Sequence, residues 1–485
     1  MSVPSKYLEI GDFHKYYSGA LKAPYLTVFV GGNHEASNYL SELFYGGWVA
    51  PNIYYLGAAN VICCGPLRIA GLSGIWKGYN YKKPHYERIP YNYDDVKSVY
   101  HVREVDVRRL MQIRTQVDVG VSHDWPRGVE WNGNYRQLFR CKPGFEEEAK
   151  AHQLGSAGAK YVMDRLRPKY WFAAHMHAKF AAVVKYSQRK SSDPESSMKT
   201  DVQQAIGTQN SEEGAGDSNG VLNAGRESKS AAVENADEID LDMDDEEPTT
   251  TSAQHKDKDI VDGNARALLP DSFSRPNIPD KKSSAPSVPI DITNTTTRFL
   301  ALDKCLPKRH FLQLLEIVPT LTGKANEGSR FRLTYDKEWL AISRVFAPDL
   351  IFGDPSARIP QDRGDTHYAT RIAGEEEWVE EHLVKKYLMN VPQNFEMTAP
   401  PYRSDQGINN RQQPKEYTNP QTSAYCKMLE IDVPFLASEE DREERWRRAL
   451  SKSGNDRGDR GKGGHRGGHR GGNRGRGRGS GRGHR

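Results

Sequence analysis

Three short polar clusters carry the side chains best suited to chemistry: Gly31-Gly32-Asn33-His34-Glu35, Ser122-His123-Asp124-Trp125-Pro126 and His175-Met176-His177. Each follows an apolar run: Tyr25 to Val30, Val117 to Val121, and Tyr170 to Ala174. An amide oxygen is a hard metal ligand, and an imidazole is a metal ligand or a proton donor. Apolar runs of this kind read as buried strands, and open sheets carry their sites just past strand ends. Two glycines allow a sharp turn after the first run. In extended backbone, residues i and i+2 point the same way, so His175 and His177 are expected to face one pocket, each reaching a different metal ion. A lone histidine is usually structural; three polar clusters delivered by three strands point to a site.

The elements that must position these groups are legible from composition. Ala36 to Phe44 reads as a short helix. Asn52 to Leu56, Val61 to Cys64 and Leu67 to Leu72 read as strands separated by turns. Ser73 to Arg103 is a long loop with six Tyr and one Trp among lysines, arginines and histidines. Long structured loops are usually functional, and rings interleaved with cations suit unstacked bases and phosphates. The residues singled out there are Trp76, Tyr79, Tyr81, Tyr91, Tyr93, Tyr100, His101 and Arg103. Helices are expected over Glu104 to Arg114 and most of Phe145 to Leu166, and a strand over Phe180 to Val184. Further on, Phe311 to Val318 reads as a strand, and Phe331 to Phe346, Glu375 to Leu388 and Glu439 to Leu450 as helices.

The chain has 485 residues, enough for two or three domains, but only 36% are hydrophobic, so a sizeable part is expected to stay unpacked. No apolar run approaches the roughly 20 residues of a membrane span, so no membrane association is expected. Met1 to Lys6 lacks the apolar core of a signal peptide. The five cysteines form no Cys-x-x-Cys pair and point to a reducing compartment, with Cys63 and Cys64 as strand residues. Charge is unevenly spread. Ser451 to Arg485 carries +9, and subtracting that from the chain's +4 leaves −5 for the rest. A flexible Arg/Gly tail of this sign suits a polyanion such as RNA. Residues 188–296 lose hydrophobic periodicity, with nine acids in the fourteen residues from Glu234 to Glu247, and are expected to be disordered.

The order Gly31-Gly32-Asn33-His34-Glu35, then a strand ending in His123, then His175-x-His177, resembles the calcineurin-like metallophosphoesterases. With Gly46 to Gly57, Ser122 to Pro126 and Phe299 to Pro307 added, the chain is similar to the RNA lariat debranching enzymes over about 1–187 and 297–390. The resemblance implies an α/β fold: a calcineurin-like metallophosphoesterase β-sandwich flanked by helices, with a smaller C-terminal domain and long disordered segments. It implies a metallophosphoesterase domain over 1–187, an acidic insert over 188–296, remaining sandwich strands and a C-terminal domain over 297–400, a linker and charged helix over 401–450, and the tail over 451–485. The implied activity is hydrolysis of the 2′-5′ phosphodiester at the branch point of excised intron lariat RNA, in the nucleus, with splicing-associated proteins as further partners.

Carried over by motif, Asn33, His123 and His175 would hold one divalent ion and His177 another, roughly 3.5–4 Å away. Fe, Zn and Mn all suit these ligands. His34 would protonate the leaving 2′ oxygen, Asp124 would orient His123, and the aromatic loop would receive the branch. The family also begins with a strand ending in Cys-x-His or Asp-x-His and a second ending in Gly-Asp. Neither motif stands in this sequence, and Gly11-Asp12 follows no apolar strand. The expectation is a chain that starts at an internal Met. The alternatives are an RNA-binding remnant with impaired catalysis and a metallophosphodiesterase with another substrate.

Overall fold

In the computed structural model, which describes residues 11–186, 288–320, 332–403, 405 and 413–459, two sheets share one apolar interior. The expected disorder of residues 188–287 and of the tail beyond 459 falls outside these residues. The smaller sheet has the order β1 (Thr27–Phe29), β3 (Ile53–Tyr55), β2 (Gly47–Ala50). The larger adds β4 (Ala59–Cys64), β5 (Leu67–Leu72), β6 (Val119–Ser122), β7 (Tyr170–Ala173), β8 (Phe180–Lys185), β9 (Thr296–Ala301) and β10 (Leu333–Tyr335). Its order is β10-β4-β5-β6-β7-β9-β8, with β5, β6, β7 and β9 mutually parallel. Their C-terminal ends therefore emerge at one edge.

Pleating explains how one strand serves two interiors. On β4 and β5, Ala59, Val61, Ala70 and Leu72 pack against helices α5 (Glu104–Met111), α8 (Ala157–Leu166) and α9 (Lys337–Phe346). Ile62 points the other way and packs with Trp48 and Tyr54 of the smaller sheet, with Leu56 just after β3, and with Leu333. Both faces are covered, so these strands read as continuous apolar runs. The parallel stretch needs a small residue at Gly120, where an added Cβ would lie 2.3 Å from the Trp171 ring.

Several elements differ from the sequence expectations. β1 has three residues and is half-buried rather than a buried six-residue strand, because it pairs with β3 alone. Phe311 to Val318 forms no strand: it runs exposed along the surface, with Leu314 85% accessible. Phe331 to Phe346 is not one helix. Leu333–Tyr335 pairs with β4, and α9 starts only where the Asp336 carboxylate accepts from the Trp339 N–H at 2.9 Å. The helix expected over Glu375 to Leu388 is α10, Asp365–Val379, followed by a wide turn, Glu380–Val384. Residues 288–295, expected to be disordered, are ordered: Ile292 is buried and the Asn294 side chain donates to the carbonyls of Arg167 and Thr296. The 401–450 stretch is more than linker, since α11 (Pro420–Leu429) buries Tyr425, Cys426 and Leu429. The charged helix, α12, runs over Glu439–Asp459 rather than stopping at Leu450.

A buried ionic network ties the C-terminal segment to the sheet. Arg68 of β5 donates to both oxygens of Asp336, at 2.7 and 2.8 Å, and to Glu338 at 2.8 Å. Glu338 also accepts from the Arg114 N–H and the Thr115 hydroxyl. All three charged side chains are under a tenth exposed. Removing one partner from such a set strands a buried charge and costs about 3–5 kcal/mol.

Two glycines should respond oppositely to the same change. Gly120→Ala should cost about 1–3 kcal/mol through overpacking on Trp171. Gly374, exposed inside α10 with no atom within 4 Å of an added Cβ, should gain about 1 kcal/mol on replacement by Ala. Urea denaturation of both variants checks the pair; equal shifts would contradict the packing described.

Candidate metal and phosphoester site

The smaller sheet meets the larger at the C-terminal ends of β1 and β5. The Gly31 N–H donates to the Ser73 hydroxyl at 3.0 Å, and the Gly74 N–H donates to the Gly31 carbonyl at 2.8 Å. Gly74 sits at φ 95°, where a side chain would strain, and an added Cβ would also strike the Tyr100 carbonyl. This double tie holds the first polar cluster over the end of β6. Gly32 then lies flush with His123: an added Cβ would be 2.3 Å from the imidazole.

Three of the expected donors come together there. His123 Nε2 and Asn33 Oδ1 are 3.0 Å apart, and the His123 and His175 rings have centroids 5.0 Å apart. The Asn33 amide nitrogen is 3.3 Å from His34 Nε2, which places His34 beside the same group. Burial, and then the charges that His175, His34 and His177 would carry, push His123 down to about 3. Its imidazole is thus neutral at ordinary pH, the form that donates a lone pair to a metal. A separation of 3.0 Å is also what two donors adopt at right angles on one ion with bonds of about 2.1 Å. Asn33, His123 and His175 are of the donor types that suit a divalent ion, and the Asn33–His123 pair has the matching separation. Among the described residues, no group of three or more His, Cys, Asp or Glu is arranged to hold a metal ion.

His175 and His177 do not converge as extended residues do. Both lie in the bend after β7 with left-handed backbones, φ 56° and 50°. Such strain in non-glycine residues costs about 1–3 kcal/mol and persists where surroundings enforce it. One enforcing contact is the Ala174 N–H on the His123 carbonyl, at 3.0 Å. Asp124 does not orient His123. Its carboxylate accepts from the N–H groups of Trp125 and Trp76, at 2.8 and 3.1 Å, and burial raises its pKa. It anchors the start of the aromatic loop to the site instead. Asp12 stands on the surface, paired with Lys15 at 2.6 Å.

The loop over 73–103 is partly helical, with α3 (Gly78–Tyr81) and α4 (Tyr93–Ser98), and its rings divide into three groups by burial. Tyr79 and Tyr93 are 70% and 74% exposed. Trp76, Tyr81 and Tyr100 are half-buried, with the Trp76 and Tyr81 rings 4.6 Å apart. Tyr91, His101 and Arg103, expected to meet substrate, are buried and brace the loop from within. Arg103 donates to Glu87 at 2.5 Å and to the carbonyls of Asn80 and Ser98, and His101 Nδ1 lies 2.8 Å from the Asn80 amide. The Tyr91 N–H donates to the Gln413 side chain. Arg127 was not singled out from sequence. Its guanidinium sits 5.4 Å from the Trp76 ring, and its only sequence signal is its place directly after the His123 cluster. A cavity of about 70 Å³ lies behind the Gly31-Gly32 turn, walled by Ser73, Tyr100 and His101.

A family profile described as "Lariat debranching enzyme, C-terminal domain" matches residues 294–434. The chain is 40% identical over 428 residues to a Schizosaccharomyces pombe protein named lariat debranching enzyme, covering 88% of this chain and 85% of that one. Proteins of the same name from Drosophila melanogaster and Homo sapiens are 38% and 35% identical. Those matches cover 90% and 91% of this chain, and 69% and 62% of theirs.

Burial, with Arg103, Lys77 and Lys83 adding positive charge nearby, pushes His101 down to about 3 from its ordinary 6.5. Between those values the unfolded chain binds the proton and the folded chain does not, so stability falls as pH drops below about 6.5. At pH 5 the loss from this group should be about 2 kcal/mol relative to pH 8. His101→Gln should flatten that part of the profile in thermal denaturation; an unchanged slope would place the charge change elsewhere.

Proposed function

The chain belongs to the lariat debranching enzyme family, and from that membership we propose that it hydrolyses the 2′-5′ phosphodiester at the branch point of excised intron lariat RNA. The reaction is that of a metal-dependent phosphodiesterase acting in mRNA processing and intron turnover. The observation that carries this reading is the convergence of Asn33, His123 and His175 where an aromatic loop begins. The smaller sheet packed on the larger supports a calcineurin-like sandwich as the frame.

Asn33, His123 and His175 would hold one divalent ion, with His177 directed to a second; Fe, Zn and Mn fit these donors. When bound, such ions polarise the phosphate and lower the pKa of a water. The protein's own groups do the rest. Gly32 keeps the His123 ring against the turn, and the buried, neutral imidazole stays available as a donor. His34, which lies next to the Asn33 amide, would give its proton to the leaving 2′ oxygen. Trp76, fixed by Asp124 and capped by Arg127, begins a path along which Tyr79 and Tyr93, each exposed beside a lysine, would meet the bases around the branch. Intron lariats place this activity in the nucleus, beside splicing-associated proteins. No helix among the described residues is long and apolar enough to cross a membrane.

A second reading, an RNA-binding protein with impaired catalysis, is favoured by one observation: no three His, Cys, Asp or Glu side chains form a metal-holding group among the described residues. Incubation of the full chain with branched RNA and Mn²⁺ separates the two. Conversion to linear RNA, lost on chelation and restored by Mn²⁺, is the expected result; tight binding without conversion would favour the second reading. His34→Ala should lower the rate by about 10²–10⁴. The double change Tyr79→Ala, Tyr93→Ala should weaken branched RNA by at least about fivefold and leave a small chromogenic phosphodiester untouched.

A further inference from the structure

A groove of about 580 Å³ opens beside the wide turn after α10 and against α11, and it shares no lining residue with the cavity behind Gly31-Gly32. Ligand sites commonly enclose roughly 300–1,000 Å³. One wall is a stack of planar groups already in place. The Arg344 guanidinium lies 3.5 Å from the centre of a Trp378 ring, and His382 stacks on Trp378 at 4.3 Å and 10°. Glu375 holds Arg344 from behind at 2.5 Å, and a hydrogen bond to the Trp378 carbonyl at 2.9 Å fixes the His382 ring. Trp378 and His382 both line the groove.

The rim adds two further features. Tyr387 is 88% exposed yet held at φ 61°, a conformation an aromatic residue rarely adopts. Lys386 and Lys427 face one carboxylate, Glu430, leaving the groove with a net positive charge. Among the described residues neither lysine takes part in an ion pair.

We propose that this groove holds an unpaired nucleotide of single-stranded RNA, its base extending the Arg344–Trp378–His382 stack and its phosphate meeting Lys386 and Lys427. Base stacking on such platforms tolerates any sequence, because every base has a π-face. Apolar burial alone would suit a peptide equally; the cationic rim beside a planar stack favours a nucleotide. The inference rests on RNA being the substrate and extends its path onto the C-terminal segment.

The test is photocrosslinking of the full chain to a linear oligoribonucleotide carrying 4-thiouridine, with adducts mapped to peptides. Adducts are expected on Trp378, His382 or Tyr387. The double change Lys386→Glu, Lys427→Glu, or Tyr387→Ala, should reduce them by about fivefold or more while tail adducts and turnover of a small chromogenic phosphodiester stay unchanged. Adducts confined to the tail or the 73–103 loop, or groove adducts undiminished in the variants, would overturn the proposal and leave the debranching reading standing. Absence of any adduct, with branched RNA left uncleaved, would overturn both.

Discussion

The imidazole of His123 rests against the α-carbon of Gly32, with no room for even a methyl group between them. That contact sets how close the first polar cluster can come to the end of β6, and so whether Asn33 can reach His123 at all. Two hydrogen bonds to Gly31, from Gly74 and to Ser73, hold the approach from the side. β1 and β6 belong to different sheets, so this meeting point is also where the two sheets are registered against each other. Interiors this tightly packed transmit small displacements, and a shift of the smaller sheet would reach the Asn33 oxygen directly.

The C-terminal residues keep that register from a distance. Arg68, Asp336 and Glu338 lock the start of α9 onto β5, and Gln421 of α11 pairs with both backbone groups of Trp48 on β2. Tyr17 accepts from the Thr398 and Ala399 N–H groups, tying the N-terminal lead-in to the same segment. Buried ion pairs add little net stability over apolar packing, but they are intolerant of misalignment. Their contribution is best understood as fixing one docking arrangement of sheet and helices.

The aromatic loop shows the same division between scaffold and surface. Arg103, fully buried, satisfies Glu87 and two carbonyls inside the loop, and this lets Tyr79 and Tyr93 project outward from a rigid base. Rings held by a rigid frame lose less freedom on meeting a base than rings on a floppy one.

The sequence determined what each segment is. Apolar runs closed by glycine and polar residues specified β3 to β8 closely, because their signals are local: side-chain alternation, β-branched residues and turn formers within a few positions. It determined the candidate donors as well, since Asn33, His123, His175 and His177 each stand directly after such a run. Tertiary structure decided what local pattern could not. Phe311 to Val318 has strand composition but pairs with no described strand; Leu333–Tyr335 became a strand because β4 offered an edge. The kinked bend, rather than pleat alternation, brings His175 toward His123. Tyr91, His101 and Arg103 share the composition of their exposed neighbours, and only their partners in the fold, Gln413 for Tyr91 and Asn80 and Glu87 across the loop for His101 and Arg103, draw them inside. Local signals fix the conformation of a few residues at a time; which face is buried depends on packing partners hundreds of positions away, and no short stretch encodes them.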